Sequence, residues 1–150
     1  GLRELLSVAP KVYREYPFVL RIGRAEISGT LDVLFFDPQR EMWTILDYKS
    51  NEIEPGRIGE EIGRHGYDRQ MQMYALAVSR LFRTEHIRSL LFFTFPGCLY
   101  EAVDLSPNTL TALEISIVAF LDRLAEGVIE VSQKPVNCED CVYRLYEERP

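Results

Sequence analysis

The chain has 150 residues, of which 47% are hydrophobic and 27% are charged, and its formal net charge is -6. This length predicts one domain with a sizeable hydrophobic core, and the composition excludes a disordered or fibrous protein. Three cysteines are too few for a disulfide framework, and no apolar run approaches the roughly 20 residues of a membrane-spanning helix. We therefore expect a cytoplasmic protein that does not associate with membranes.

The first third of the chain predicts a helix followed by three antiparallel strands. Residues 2–14 carry apolar side chains at roughly helical spacing, although Pro10 interrupts them. Residues 18–22, 26–36 and 42–49 are rich in β-branched and aromatic side chains, and turn-forming residues separate them. This pattern indicates an N-terminal antiparallel meander.

The middle and the end of the chain predict two further strands between helices. Apolar side chains at three- and four-residue steps indicate a helix over residues 58–82, and residues 87–95 and 99–103 predict a hairpin. Ser106 is typical of an N-cap for a last helix, which Gly127 ends. The order of elements predicts an α/β fold with a mixed central sheet of about five strands, flanked by helices.

Three charged side chains stand out in the predicted meander. Because side chains alternate between faces along a strand, Asp47 and Lys49 are neighbours on one face. Asp32 is a lone carboxylate in the apolar strand before them. A hairpin turn near Pro38 places position 32 opposite positions 46 to 47, which brings the two carboxylates together. Their burial is unfavourable unless a cation lies between them.

Two carboxylates beside an ammonium group suit metal-assisted phosphodiester hydrolysis. Asp32 and Asp47 would hold Mg²⁺ or Mn²⁺ in an open coordination sphere, and Lys49 would orient a metal-bound water or help to deprotonate it. An acidic protein attracts phosphate only weakly, but a bound cation reverses the local field. The alternative, from the residues alone, is a structural ion network made by the same three side chains.

Four short motifs follow one another along the chain. They are Glu-Tyr-Pro-Phe at residues 15–18, Gly-Thr-Leu-Asp at residues 29–32, Asp-Tyr-Lys-Ser-Asn at residues 47–51, and a Tyr-x-x-Gln-x-x-x-Tyr pattern at residues 67–74. Together they resemble the PD-(D/E)XK nuclease superfamily, and in particular the RecB-like nuclease domains at the C-terminus of AddA-type helicase-nucleases of the UvrD family. The resemblance implies a restriction-endonuclease-like core.

The resemblance also implies the composition of a metal site. Asp32 and Asp47 would be metal ligands, the backbone carbonyl of Tyr48 would complete the metal shell, and Lys49 would be the catalytic lysine. Relatives usually draw a further ligand, a histidine, from a helix before the first strand, and residues 2–14 contain no histidine. Either that ligand lies before residue 1, as expected for a fragment of a longer protein, or the site is incomplete.

Three residues of the predicted long helix join the site through the same resemblance. Gln70 would belong to the catalytic group and would contact the DNA backbone together with Tyr67 and Tyr74. Tyr74 lies on the apolar face of the helix, so core packing is an equal alternative for it. Gln70 lies four residues before Tyr74 on the same face, where a polar amide is unfavourable unless it finds a hydrogen-bond partner. For Gln70 we therefore favour the functional interpretation.

The predicted C-terminal tail, residues 128–150, carries a Cys-x-x-Cys pair, Cys138 and Cys141. Many relatives hold an iron-sulfur cluster in this region, but a [4Fe-4S] cluster needs four thiolates and the chain has three cysteines. We therefore expect no iron-sulfur cluster and interpret the pair as a remnant or as free thiols. A zinc site completed by Cys98 and His86 is the alternative.

These observations lead to the hypothesis of a Mg²⁺- or Mn²⁺-dependent deoxyribonuclease. The resemblance implies that residues 1–150 form one nuclease domain of a helicase-nuclease in DNA repair or recombination, with a helicase motor as partner and exonuclease rather than endonuclease action. The alternative is a catalytically degenerate nuclease fold that binds DNA or docks to a subunit. A nucleotide-hydrolysing domain is disfavoured, because no Gly-x-x-x-x-Gly-Lys-Ser/Thr run is present.

Overall fold

A mixed five-stranded sheet forms the centre of the computed structural model, which describes residues 1–101 and 103–128. The elements in chain order are α1 (Leu2–Ser7), β1 (Val12–Ile22), β2 (Ala25–Asp37), β3 (Met42–Glu52), a short 3-10 turn (Pro55–Arg57), α2 (Ile58–His65), α3 (Tyr67–Phe82), β4 (Ile87–Phe95), β5 (Cys98–Tyr100) and α4 (Pro107–Ala125). Neighbouring strands follow the chain order, and all pairs are antiparallel except the parallel pair of β3 and β4. The predicted α/β architecture is confirmed.

The helix predicted over residues 2–14 is wrong beyond Ser7. There α1 ends, Pro10 follows, and β1 begins at Val12, whose partner is Phe35 in β2. A helix of six residues is marginal by itself, whereas the β-branched and aromatic residues that follow gain a full set of strand contacts. Tertiary pairing therefore decides the conformation of this segment.

The helix predicted over residues 58–82 is interrupted at Gly66. This residue has φ +65° and ends α2. Its backbone N–H donates hydrogen bonds to the carbonyl oxygens of Gly63 and Ile62. Glycine takes the left-handed conformation without the steric cost that a Cβ would add, so the chain ends one helix and begins another here. The break makes Tyr67 the first residue of α3.

The C-terminal elements agree with the prediction in order but not in every boundary. The second strand of the hairpin is β5, three residues at Cys98–Tyr100, rather than residues 99–103. Ser106 caps α4, because its hydroxyl accepts a hydrogen bond from the backbone N–H of Thr109 at 3.4 Å. Within the described residues, no helix is long and apolar enough to cross a membrane.

The sheet carries an apolar core on each face. Alternate residues of β3 serve the two cores, since Ile45 belongs to the larger one and Leu46 to the smaller one. The larger core includes Met71, Ala75 and Val78 of α3, all fully buried. The smaller core is covered by partly buried residues of α1 and contains Val33, Phe35, Leu46 and Leu90. Both faces of the sheet are therefore covered by helices.

One close contact ties β1 to β2 within the larger core. Phe18 lies opposite Gly29, and a Cβ placed on Gly29 would lie 2.6 Å from Cζ of the Phe18 ring. No side chain fits under the ring, so the contact needs glycine. The ring also meets Tyr74 of α3 edge to face, with the centroids 5.8 Å apart. Phe18 thus links two strands to the helix above them.

Candidate active site

Asp32 and Asp47 lie where β2 and β3 part. The last residue pair of that ladder is Val33 with Leu46, so Asp32 and Asp47 occupy the next positions of the two strands. Asp32 takes the place of a backbone partner, because its Oδ2 accepts a hydrogen bond from the N–H of Tyr48 at 2.9 Å. This is the register that the turn spacing predicts, and it places both carboxylates at one point of the sheet.

Lys49 forms a largely buried ion pair with Asp47. Its Nζ lies 2.7 Å from Oδ2 of Asp47, and the two side chains are 11% and 4% exposed. Burial raises the pKa of Asp47 above its ordinary value, Lys49 opposes this shift by hydrogen bonding and charge, and Asp32 adds to it. The Lys49 ammonium therefore does not fully stabilise the charged form of Asp47, and a further positive charge nearby would stabilise it more.

The carboxylate of Asp47 is the first group in this cluster that fits a metal ion. It is buried, and its Oδ2 lies against the Lys49 ammonium while its Oδ1 accepts the hydrogen bond from Gln70. Asp32 offers a second carboxylate on the adjacent strand. Hard cations such as Mg²⁺ prefer carboxylate oxygens and often keep several waters when only one or two carboxylates bind them. The donor set fits such an ion.

The part of the chain that the structure describes offers no third acidic, histidine or cysteine side chain to this pair. No group of three or more such residues in it lies close enough together to hold a metal. The backbone carbonyl of Tyr48 stays a predicted ligand. A metal held by Asp32 and Asp47 would therefore keep open positions, which is what a catalytic rather than a structural site needs.

Gln70 connects the charged groups. Its Oε1 accepts a hydrogen bond from Nζ of Lys49 at 2.7 Å, and its Nε2 donates to Oδ1 of Asp47 at 3.3 Å. Nε2 also donates to the hydroxyl of Tyr74 at 2.8 Å. Strand β3 supplies the aspartate and the lysine, and α3 brings the amide over them. The four residues predicted to be catalytic thus lie in one cluster.

Tyr74 packs in the core and also reaches the charged cluster, while its contact with DNA stays a prediction. Its ring packs on Phe18 in the larger core, and its hydroxyl accepts the hydrogen bond from Gln70. Burial is the main reason that the pKa of Tyr74 is raised, with Asp47 and Asp32 adding to the shift. The phenol therefore stays neutral and holds the amide in place.

Tyr67 lies on the other side of Lys49. The ammonium is 4.1 Å from the centroid of the Tyr67 ring, and the phenol donates a hydrogen bond to Oδ1 of Asn51 at 3.2 Å. The ring of His65 stacks on Tyr67 with the centroids 5.2 Å apart. Burial raises the pKa of Tyr67, and the charges of Asp47 and Glu61 raise it further.

Sequence reasoning missed three residues of this environment, Asn51, His65 and Glu61. Asn51 had a usable signal, because it is two positions after Lys49 on the same strand and therefore shares its face. Glu61 and His65 had none, since their approach to Tyr67 depends on the break at Gly66. Glu61 is 15% exposed and lies 3.1 Å from Nε2 of His65.

The alternative zinc site has little support in the described residues. Cys98 is a free, partly buried thiol in β5, and His86 directly precedes β4. Neither belongs to a described group of three potential metal ligands. Cys138 and Cys141 lie outside the described residues, so the interpretation of that pair stays a prediction.

Comparisons with known proteins agree with the fold and with the superfamily that the motifs resemble. A family model described as the PD-(D/E)XK nuclease superfamily matches residues 2–146. Nine chains of solved structures match as well. One of them, SSO0001, is 16% identical with a TM-score of 0.55, a likeness of fold that covers 97% of this chain and 64% of that one. No curated protein matches the chain significantly.

Proposed function

The chain belongs to the PD-(D/E)XK nuclease superfamily, and we propose that it hydrolyses phosphodiester bonds of DNA in a reaction that depends on Mg²⁺ or Mn²⁺. One observation carries the proposal. Two carboxylates on adjacent strands converge beside a buried lysine, and burial raises the pKa of Asp47 even though the Lys49 ammonium lies 2.7 Å from it. One ammonium does not fully compensate two carboxylates, whereas a divalent cation between them would.

Each residue of the cluster has a distinct task in this proposal. Asp32 and Asp47 would bind the metal, which supplies charge stabilisation to the scissile phosphate and lowers the pKa of a bound water. Lys49 lies against Asp47 and would orient the attacking water or, after losing its own proton to solvent, take the proton of that water as the neutral amine. Gln70 holds the aspartate and the lysine in register, so that both groups face the same phosphate.

Isothermal titration with Mn²⁺ separates metal ligands from the catalytic lysine. We expect the Asp32→Asn protein to lose the heat of binding, because a neutral amide binds a hard cation more weakly than a carboxylate does and only one carboxylate is left. The Lys49→Arg protein should keep it and lose most cleavage, because a guanidinium does not give up its proton and lacks the compact shape of the ammonium. Equal loss of heat in both variants would identify Lys49 as a structural counter-ion and contradict the proposal.

The second candidate function is that of a degenerate nuclease fold that only binds DNA. A cleavage assay with the wild-type protein distinguishes it from a nuclease. Wild-type protein is mixed with labelled linear DNA and Mn²⁺, with EDTA as the control. Metal-dependent release of fragments supports the nuclease. Retained binding without cleavage at any metal concentration supports the degenerate module. The intact cluster of Asp32, Asp47, Lys49 and Gln70 favours the first outcome.

The finer assignment, an exonuclease that works beside a helicase motor in DNA repair or recombination, is supported by the RecB-like motifs. A net charge of -6 gives little non-specific attraction to phosphate, so delivery of the strand by a motor would help the reaction. We expect linear DNA to be degraded and covalently closed circles to resist. Cutting of both at equal rates would indicate an endonuclease. The coding sequence before Gly1 should contain helicase motifs if the motor shares the chain.

A further inference from the structure

The ammonium of Lys49 is enclosed by three groups. Asp47 and the Gln70 carbonyl oxygen each lie 2.7 Å from Nζ, and the aromatic ring of Tyr67 lies 4.1 Å from it. Lysine carries its charge on a flexible stem with many rotamers, so a single ion pair does not fix where the ammonium stands. The ring closes a side that neither the carboxylate nor the amide covers.

The ring of Tyr67 is itself held in place from α2 and β3. His65 stacks on it at an interplanar angle of 17°, and Glu61 holds His65 through Nε2. The phenol hydroxyl is hydrogen-bonded to Asn51 of β3. The raised pKa of Tyr67 keeps the phenol neutral, so the attraction to Lys49 comes from the face of the ring and not from a phenolate.

We propose that Tyr67 is a positioning residue that holds the Lys49 ammonium over its ring by a cation–π contact and thereby sets the orientation of the catalytic lysine. The sequence motif suggested instead that Tyr67 contacts DNA. The inference rests on the proposed nuclease function for its effect on turnover, but the contact itself is a property of the folded protein. Loss of the ring should lower kcat and leave the KM for DNA nearly unchanged.

A fluorinated series at position 67 tests the electrostatic nature of the contact. Phenylalanine and its mono-, di- and trifluorinated forms have similar shape, while each fluorine withdraws electron density from the ring face. We expect kcat to fall stepwise, by about tenfold in total, with KM constant within about twofold. Tyr67→Phe should also retain more activity than Tyr67→Leu. Equal kcat across the series would overturn the inference.

The chain contains a matched control for this experiment. Lys11 lies 4.6 Å from the centroid of the Tyr13 ring, a contact of the same kind in which neither residue belongs to the cluster around Asp47. Tyr13→Leu removes it and should leave kcat at the wild-type value. A loss of turnover equal to that of Tyr67→Leu would show that the effect follows from ring removal in general and would contradict a specific role for Tyr67.

Nuclear magnetic resonance tests the contact without any cleavage. The sequence has three lysines, Lys11, Lys49 and Lys134, so lysine-labelled protein gives a simple spectrum. In metal-free protein the ε-methylene protons of Lys49, assigned by their loss in Lys49→Arg, should be shifted upfield by the ring current. The shift should persist in Tyr67→Phe and vanish in Tyr67→Leu.

The two measurements keep the two claims apart. A Lys49 signal at the random-coil position in wild-type protein would overturn the inference whatever the activity. A shifted signal in a protein that never cleaves DNA would leave the contact established, show that it does not serve turnover, and refute the proposed function. A shifted signal with a flat fluorinated series would leave the nuclease intact and refute the positioning role.

Discussion

The two halves of β3 belong to one continuous strand but have different neighbours. From Trp43 to Leu46 the strand is paired on both sides, with β2 and with β4, and its centre is fully buried. From Asp47 onward only the pairing with β4 continues. Here the missing neighbour leaves room for charged side chains, and Asp32 replaces the lost backbone acceptor. The pairing with β4 thus fixes the backbone of β3, while the loss of pairing with β2 leaves space for the charged side chains.

The largest expected effect comes from Asp47→Asn in the open half. The substitution keeps the shape of the side chain and removes the charge, so metal-dependent cleavage should fall by roughly a thousandfold or more. Single-turnover cleavage of labelled DNA measures it. The control is Asp37→Asn, which changes a buried carboxylate at the other end of the same sheet and should keep cleavage at the wild-type rate. Wild-type turnover in Asp47→Asn would remove the basis for the site.

Ile45→Ala tests the paired half of the strand. Ile45 is fully buried, so its truncation should lower the free energy of unfolding by about 2–5 kcal/mol. Urea denaturation measures this loss. The rate of cleavage per folded molecule should stay within about twofold of wild type, because the side chain is apolar and is not one of the four residues of the cluster. A variant that stays stable but loses turnover would show that the two halves are not separable.

Gln70→Ala tests the amide that joins the open half of β3 to α3. Removing it leaves Lys49 and Asp47 without their common partner, so cleavage should fall by roughly ten- to a thousandfold. The free energy of unfolding should fall by only about 1 kcal/mol. Gln72→Ala is the matched control on the same helix, since Gln72 is bonded to a backbone carbonyl away from the site. Equal cleavage by both variants would make Gln70 a structural residue.

The smallest effect is a pH dependence of stability in metal-free protein. The pKa of Asp47 is raised by burial in the folded state, so the folded protein takes up this proton at a higher pH than the unfolded chain does. Lowering the pH through that raised pKa should therefore stabilise wild-type protein relative to Asp47→Asn, and the gain is complete below the pKa of the unfolded chain. Urea denaturation of both proteins over a pH series measures the difference, and a constant difference would contradict the shift.

The sequence predicts the paired part of the sheet well, because the meander is local and its turns are short. Counting residues from the turn after Asp37 is enough to place Asp32 opposite Asp47. Counting does not show that the ladder stops there, since this depends on packing between distant elements. The helix predicted through Pro10 fails for the same reason, because pairing of Val12 with Phe35 outweighs a weak local preference.

Within the candidate site, a residue could be predicted from its sequence motif and its helix face, but a contact that depends on a break in the helix could not. Gln70 could be inferred because it matches the motif of the superfamily that the chain resembles, and because an amide on an apolar helical face is costly without a partner. The contact of Tyr67 with Lys49 could not, because a continuous helix over residues 58–82 gives Tyr67 a different setting. Only the left-handed Gly66 makes it the first residue of a new helix beside His65.

The contact between Gly29 and the ring of Phe18 explains why the motifs at residues 15–18 and 29–32 occur together. Phe18 ends the first motif and Gly29 begins the second, so the two halves of the pattern meet as ring and backbone. The same ring supports Tyr74, which supports Gln70. A single methyl group added at position 29 would push on this chain of contacts from below. Gly29 thus supports the charged site indirectly, because a Cβ at this position would displace the ring on which Tyr74 packs.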